Sequence, residues 1–413
     1  MRACIHRGAR EVGGSCVEVE HDGARVLLDL GLPLTAGFDA EPVLPPIPGL
    51  GGGDASLLGI IVSHGHPDHW GLVPHAHEDV PVFIGEAAQR ILREAAFFTS
   101  AGAELSAAGF LRDRQPFQVG PFTITPFLAD HSAFDAYSIL IEAGGRRLFY
   151  TGDVRAHGRK RSLFERLISD PPKRINVLLM EGTHVREDPT GSSLSEEGLE
   201  RKLARVFSAT EGLVLACYSA QNIDRLVTMF KAAKRSGRKL VLDLYAATMT
   251  RATGNPRIPQ ADWDDVLVYV PLSQRIKVKQ SREFERTAWV RNHRVFTEQL
   301  ADQTSGLVMT FRASMARELD RAGCLDNAHC VWSMWPGYLD NPSGARMQGW
   351  LADRQIPLTK LHSSGHASVE DLQRLAVAIN ADRVTPIHTG APTLYEGLFE
   401  NVEQRSDGEW WAV

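Results

Sequence analysis

Residues 63–70 read Ser63-His64-Gly65-His66-Pro67-Asp68-His69-Trp70, and no other segment constrains the chain as strongly. Three imidazoles and one carboxylate fall within six positions, directly after the apolar run 57–62. Such a run reads as a buried strand that ends in a tight turn. His64 and His66 stand two apart, so on an extended chain they share a side. Asp68 and His69 follow on the turn. This spacing suits two adjacent metal ions, one held by His64 and His66, the other by Asp68 and His69. Imidazole combined with carboxylate favours zinc, with manganese or iron as alternatives. The competing reading is a polar loop whose histidines fall there by chance, which four ligands at this density make weak.

A chain of 413 residues exceeds one ordinary core, so two domains are expected. The formal net charge of −5 means that any nucleic-acid partner would have to meet a local positive groove. The five cysteines, at positions 4, 16, 217, 324 and 330, form no Cys-x-x-Cys pair. They read as reduced thiols rather than a disulfide framework or a zinc knuckle. The N-terminus lacks the apolar core of a signal peptide, and no apolar run approaches membrane-spanning length. The expected setting is therefore cytoplasmic, with no membrane partner.

The first part of the chain reads as short strands joined by turns, with His21-Asp22-Gly23 as a hairpin signal. Residues 86–98 read as an amphipathic helix. From about residue 191 the texture changes to strand–helix–strand units, which imply a parallel sheet. Between 245 and 300 it is irregular and rich in charge. Residues 358–361, 369–379 and 383–387 again read as strand, helix and strand. The expected organisation is a first domain over 1–190, an insertion over 191–355 and completion of the first domain over 356–413.

Two further ligand candidates precede the insertion. His131 follows the apolar segment 127–129, and Asp153 follows the strand-like 147–150 after Thr151-Gly152. A carboxylate just beyond a strand suits a ligand that bridges two cations. Taken in this order, His64-x-His66-x-Asp68-His69, His131 and Asp153 resemble the metallo-β-lactamase fold of di-metal hydrolases, and the opening hairpin with Asp29-Leu30-Gly31 extends the likeness. Three later groups sit at strand ends: Glu181 in Met180-Glu181-Gly182-Thr183, His366 in Ser364-Gly365-His366-Ala367, and His388 after 384–387. With the inserted strand–helix units they resemble the β-CASP nucleases. Ser-Gly-His-Ala, and Cys217-Tyr218-Ser219-Ala220-Gln221-Asn222, resemble the ribonuclease J type. The final motif departs from that type, reading His388-Thr389-Gly390, and the end at Val413 leaves no room for the extra C-terminal domain common there.

The resemblance implies an α/β architecture: a four-layer αββα metallo-β-lactamase sandwich with an inserted α/β β-CASP domain. It implies two divalent metal ions, zinc foremost and manganese as the alternative. His64, His66 and His131 would hold one; Asp68, His69 and His388 the other; Asp153 would bridge them. The reaction implied is attack of a metal-bridging hydroxide on a backbone phosphate of RNA, with Asp68, Glu181 and His366 as the catalytic group. In it, His366 protonates the leaving oxygen and Glu181 orients His366. His362 and Ser364, in the turn before His366, and Arg155 and Arg159, after Asp153, are the candidates for holding substrate. A histidine at position 388 favours RNA over DNA. Homo-oligomerisation is left open. The rivals are a DNA nuclease of repair or defence, a small-molecule hydrolase of the same fold, and a nucleic-acid-binding subunit with a dead site. A basic stretch from Arg275 to Arg294, interleaved with Trp289 and Phe296, reads equally as a phosphate track or a solvated helix face. His157, His184, His293 and His329 have no matching partners in the sequence.

Overall fold

The structure is a computed structural model that describes residues 1–34, 42–187 and 194–413. It divides into two compact units: Met1–Ser193 with Gly365–Val413, and Leu194–Ser364.

The first unit is built on two sheets. One has seven strands in the order Trp410–Ala412, Arg2–Arg7, Cys16–His21, Ala24–Leu28, Leu57–Ile61, Val82–Gly85, Ala107–Leu111. The other has six, in the order Arg383–Ile387, Val177–Glu181, Arg146–Tyr150, Tyr137–Ala143, Phe122–Leu128, Phe117–Val119. Strand alternation sorts their side chains into layers. Val17, Val19, Val26 and Leu28 of the first sheet meet Ile139, Ile141, Leu148 and Leu179 of the second in one buried core. The residues between them face outward. Leu27 and Ile60 pack with Ala88 and Leu92 of helix Glu86–Ala96. Phe149, Leu178 and Met180 pack with Phe164 and Leu167 of helix Arg161–Ser169 and with Leu372 and Leu375 of helix Val369–Ile379. Helix, sheet, sheet and helix therefore follow one another as four layers. The hairpin joining Cys16–His21 to Ala24–Leu28 turns on Asp22 (φ 51°) and Gly23 (φ 79°), the two left-handed residues a tight two-residue turn needs.

The second unit is a seven-stranded parallel sheet, ordered Arg294–Val295, Val266–Tyr269, Lys239–Asp243, Leu307–Thr310, Val214–Cys217, His329–Trp332, Leu358–Lys360. The expected boundary at 190/191 lies outside the described residues. The expected return at 356 differs from the structure: Leu358–Lys360 pairs with His329–Trp332, so this strand closes the edge of the inserted sheet. Residues 245–300, irregular in sequence, hold helices Leu244–Ala252 and Leu272–Ser281 and strand Val266–Tyr269. The first of these helices is buried nearly all round and the second exposes nearly all of its surface, so neither carries an apolar stripe.

The chain around Asp68 is stitched to residues 15 and 30–32. Asp68 O accepts from Ser15 N–H, His69 O from Leu30 N–H and Pro67 O from Leu32 N–H. Gly31 allows this approach, because a Cβ there would lie 1.8 Å from Asp68 O. Gly31→Ala is expected to cost roughly 1–3 kcal/mol of stability through overpacking, read as a lower melting temperature. An unchanged transition would show that the 66–72 segment is not locked against residues 30–32.

Candidate metal centre

The site is assembled at the carboxyl ends of strands, where open α/β-type sheets place their chemistry. Strand Leu57–Ile61 lies parallel between Ala24–Leu28 and Val82–Gly85 and delivers Ser63, His64 and His66 just past its end. Pro67 opens the one-turn helix Pro67–Trp70, which carries Asp68 and His69. In the second sheet, Phe122–Leu128 leads to His131, Arg146–Tyr150 to Asp153, Val177–Glu181 ends on Glu181, and Arg383–Ile387 leads to His388. Glu181 and Ile387 are register partners, which sets His388 one residue beyond Glu181's level. His388 takes the left-handed backbone, φ 53°, uncommon outside glycine although histidine is among the residues enriched there.

One donor atom from each of His64, His66, His131 and Asp153 falls within a 4.8 Å cluster, and the same holds for Asp68, His69 and His388. Asp153 stands between the two sets. Its Oδ2 lies 3.5 Å from His64 Nε2, 3.3 Å from His69 Nε2 and 3.9 Å from His131 Nε2, while its Oδ1 lies 3.8 Å from His388 Nε2. His66 Nδ1 and His131 Nε2 are 3.0 Å apart, and His388 Nε2 lies 3.8 Å from Asp68 Oδ2. Donors about 2.0–2.1 Å from a tetrahedral ion sit roughly 3.3 Å from one another, so these separations fit ligands gathered around shared cations. Hydrogen bonding accounts for the His66–His131 contact but not for the others. His64 Nε2, His69 Nε2, His388 Nε2 and both oxygens of Asp153 are buried without a hydrogen-bond partner. Orphaned buried polar atoms are costly unless something compensates them, and the donor set suits divalent transition metals.

The far sides of the rings are held. His69 Nδ1–H donates to Asp29 Oδ2 at 2.7 Å. The Ser63 hydroxyl donates to the same oxygen at 2.8 Å and receives His64 Nδ1–H at 3.0 Å. His131 Nδ1–H donates to Gly365 O at 2.7 Å, and His388 Nδ1 is engaged by Ser15 Oγ at 2.9 Å. Such partners fix ring orientation and raise ligand basicity. Burial, followed by neighbouring imidazoles, holds His64 well below the ordinary histidine range, and burial lowers His131 and His388 as well. The neutral form is the one that ligates metal. His69 is the exception: burial would lower it, but Asp153, Asp29 and Asp68 carry it well above its usual value. Burial opposes ionisation of Asp153, yet the imidazoles of His388, His69 and His366 keep it well below the carboxylate range.

His366 Nδ1 lies 3.2 Å from Glu181 Oε2, 3.1 Å from Thr183 Oγ1 and 3.6 Å from Asp153 Oδ2. Glu181 is itself pinned, its Oε1 accepting from Val154 N–H at 3.0 Å. Burial would lower His366, but Glu181 and then Asp153 outweigh it and push the ring up to about 9. Sequence reasoning missed Thr183 and also His184, whose ring lies 6.1 Å from that of His366. Asp29, Ser15 and Ser63 were missed as supports of the rings. Ser63 and Asp29 stand in segments that the sequence singles out, but only the fold shows that they hold the rings.

The candidates for holding substrate fare differently. Arg155 is corrected: it is fully buried and paired with Asp130 at 3.4 Å, so its charge is spent inside the unit. Arg159 is partly exposed. His362 and Ser364 fall in the second unit and are partly exposed. In the basic stretch, Arg275 pairs with Glu318 and Arg286 with Glu283, while Trp289 is covered by Arg251 and Phe296 by Arg294.

Asp29→Asn keeps the shape of the support but removes the charge that orients His69. Zinc affinity, measured by competition with a chromogenic chelator, is expected to fall about 10- to 100-fold, with the far-ultraviolet dichroism unchanged. Wild-type affinity in this variant would show that Asp29 does not act on a metal ligand.

Residues 24–201 match the family described as beta-lactamase superfamily domain. The chain is 25% identical over 244 residues to ribonuclease J of Mycoplasma genitalium, a match covering 57% of this chain and 42% of that protein. It is 24% identical over 412 residues to ribonuclease J of Mycolicibacterium smegmatis, covering 94% of this chain and 68% of the relative. The chain thus spans less than half the length of the first curated relatives it matches. Among solved structures, a protein of unknown function from Enterococcus faecalis V583 shares the fold with a TM-score of 0.78 at 20% identity, over 100% of this chain and 99% of that one. The chain has the metallo-β-lactamase fold, matches the beta-lactamase superfamily domain over residues 24–201, and resembles ribonuclease J.

Proposed function

We propose that this protein is a β-CASP-type nuclease that hydrolyses RNA at a centre of two divalent metals, zinc foremost. The observation that carries the reading is the set of buried, partnerless donor atoms on His64, His69, His388 and Asp153. In this reading His64, His66 and His131 hold one ion, Asp68, His69 and His388 the other, and Asp153 serves both. Bound there, divalent metals supply an activated water and neutralise charge on a phosphodiester.

The chain's own groups do the rest. Asp29, Ser63, Ser15 and the Gly365 carbonyl fix the four rings from behind, so the donor atoms are oriented before substrate arrives. Glu181 and Thr183 engage Nδ1 of His366, and the proton-donating role is assigned to Nε2. As water oxygen bonds to phosphorus and the bond to the ribose 3′-oxygen breaks, His366 delivers its Nε2 proton to that departing oxygen. Glu181 keeps the imidazolium charged and aligned. RNA, rather than DNA or a small phosphodiester, is supported by the ribonuclease J relatives, which share 24% and 25% identity with the chain.

End-labelled RNA carrying a 5′-phosphate or a 5′-hydroxyl, and matching single-stranded DNA, test this directly. The wild type is expected to cut RNA faster than DNA. His366→Ala is expected to lower kcat by about 10²–10⁴ with KM little changed, and His66→Ala to abolish the product ladder. A ladder that survives in His66→Ala does not come from this centre, and faster cleavage of DNA would replace the RNA reading with a DNA nuclease.

A further inference from the structure

Single exposed apolar side chains need no explanation, but adjoining ones that form a patch can mark an interaction site. In the second unit, Trp335 is 60% exposed and Tyr338 53% exposed. Their rings meet edge to face, 5.4 Å between centroids at 89°. Trp335 is held in three ways. Its carbonyl accepts Trp332 Nε1–H at 3.3 Å, Tyr338 abuts its ring, and Gly337 lies directly against the indole, where a Cβ would come within 2.2 Å of the ring. Trp289 and Phe296, the aromatics in the basic stretch, have an arginine over the ring, whereas among the described residues no cation covers Trp335.

The location adds a second observation. Trp335 follows strand His329–Trp332, and the neighbouring strand Leu358–Lys360 leads into His362-Ser363-Ser364; Trp332 and Lys360 are register partners. Both strands deliver these segments at their carboxyl ends, where a parallel sheet opens to ligands. The two segments are tied together. Ser333 Oγ donates to Leu361 O at 2.6 Å, and the buried Arg225 donates to Ser333 O, Ser333 Oγ and Ser363 O while paired with Glu196 at 2.9 Å. Ser363 Oγ is buried there without a partner. An exposed indole thus stands two residues beyond Ser333, whose hydroxyl is bonded to the Leu361 carbonyl just before the His362-Ser363-Ser364 turn.

We propose that Trp335, backed by Tyr338 and seated on Gly337, is a stacking platform for an unpaired base of single-stranded RNA whose phosphate lies against the 362–364 turn. The assignment rests on the RNA reading above and extends it to a single-stranded substrate gripped through its bases. Base–aromatic stacking tolerates any sequence, because every base presents a flat face. A ring already held in place loses little conformational freedom on binding.

The test compares labelled single-stranded RNA with an abasic ribose-phosphate oligomer of equal length, using the full metal-loaded protein and reading KM and anisotropy. Trp335→Ala is expected to weaken RNA binding roughly tenfold or more. Trp335→Phe is expected to restore most of that loss. Gly337→Ala, which displaces the indole and deletes no aromatic, is expected to fall between. The abasic oligomer is expected not to distinguish wild type from Trp335→Ala. RNA affinity within twofold of wild type in both Trp335→Ala and Gly337→Ala overturns the platform. So does an equal loss on the abasic oligomer, or a change in oligomeric state with RNA affinity intact, which would mark a protein interface. If the wild type binds no RNA, the nuclease reading falls and takes the platform with it; an unaffected Trp335→Ala on an active ribonuclease defeats the platform alone.

Discussion

Asp153 sets the physical problem that the first unit is organised around. It is a buried carboxylate held ionised, and neither oxygen accepts a hydrogen bond. An isolated buried charge of this kind costs several kcal/mol even after relaxation. Here it is ringed by imidazole nitrogens at 3.3–3.9 Å, three of which are themselves without hydrogen-bond partners. His69 and His366, both raised above the ordinary histidine value, balance part of the charge, but burial and mutual repulsion hold His64, His131 and His388 below theirs. In the proposed reading, cations between Asp153 and the neutral rings would occupy the donor atoms that hydrogen bonds leave unused.

The two-sheet core explains how such an arrangement survives folding. Strands from both sheets stop at the same edge, and their following residues turn inward. The most economical support is Asp29. Its carboxylate receives Ser63 N–H, the Ser63 hydroxyl, His69 Nδ1–H and the Tyr150 hydroxyl. One residue at the end of the first hairpin therefore ties the 63–69 motif to the strand that precedes Asp153. Glu181 does similar work on the second sheet, bonded to Val154 N–H on one oxygen and to His366 on the other.

What could be read from sequence follows from how local each signal is. Four ligand candidates occupy one hexapeptide, so His64, His66, Asp68 and His69 announced themselves, and the structure gathers them with His131, Asp153 and His388. The short strands of the first unit are legible from alternation and apolar runs, whereas their stacking into layers follows only from the family resemblance. Asp29 gave no such signal: its role exists only once residues 63, 69 and 150 stand around it. Arg155 misled, because a run of basic residues looks the same whether it faces water or, as here, pairs with a buried Asp130. Leu358–Lys360 reads in sequence as part of the returning domain, because three residues of strand carry no mark of which sheet they will join. Helix Leu244–Ala252 was invisible to periodicity, since a helix buried on every side has no polar face to alternate with.

In the proposed reading, cations sit on both sides of Asp153. Anomalous diffraction from crystals grown with zinc, recorded above and below its absorption edge, tests it most directly. Two peaks are expected about 3.5–4 Å apart, one among His64, His66 and His131 and one among Asp68, His69 and His388, each within bonding distance of Asp153. Ligand side chains that turn to separate pockets, with no anomalous density beside Asp153, would contradict the account.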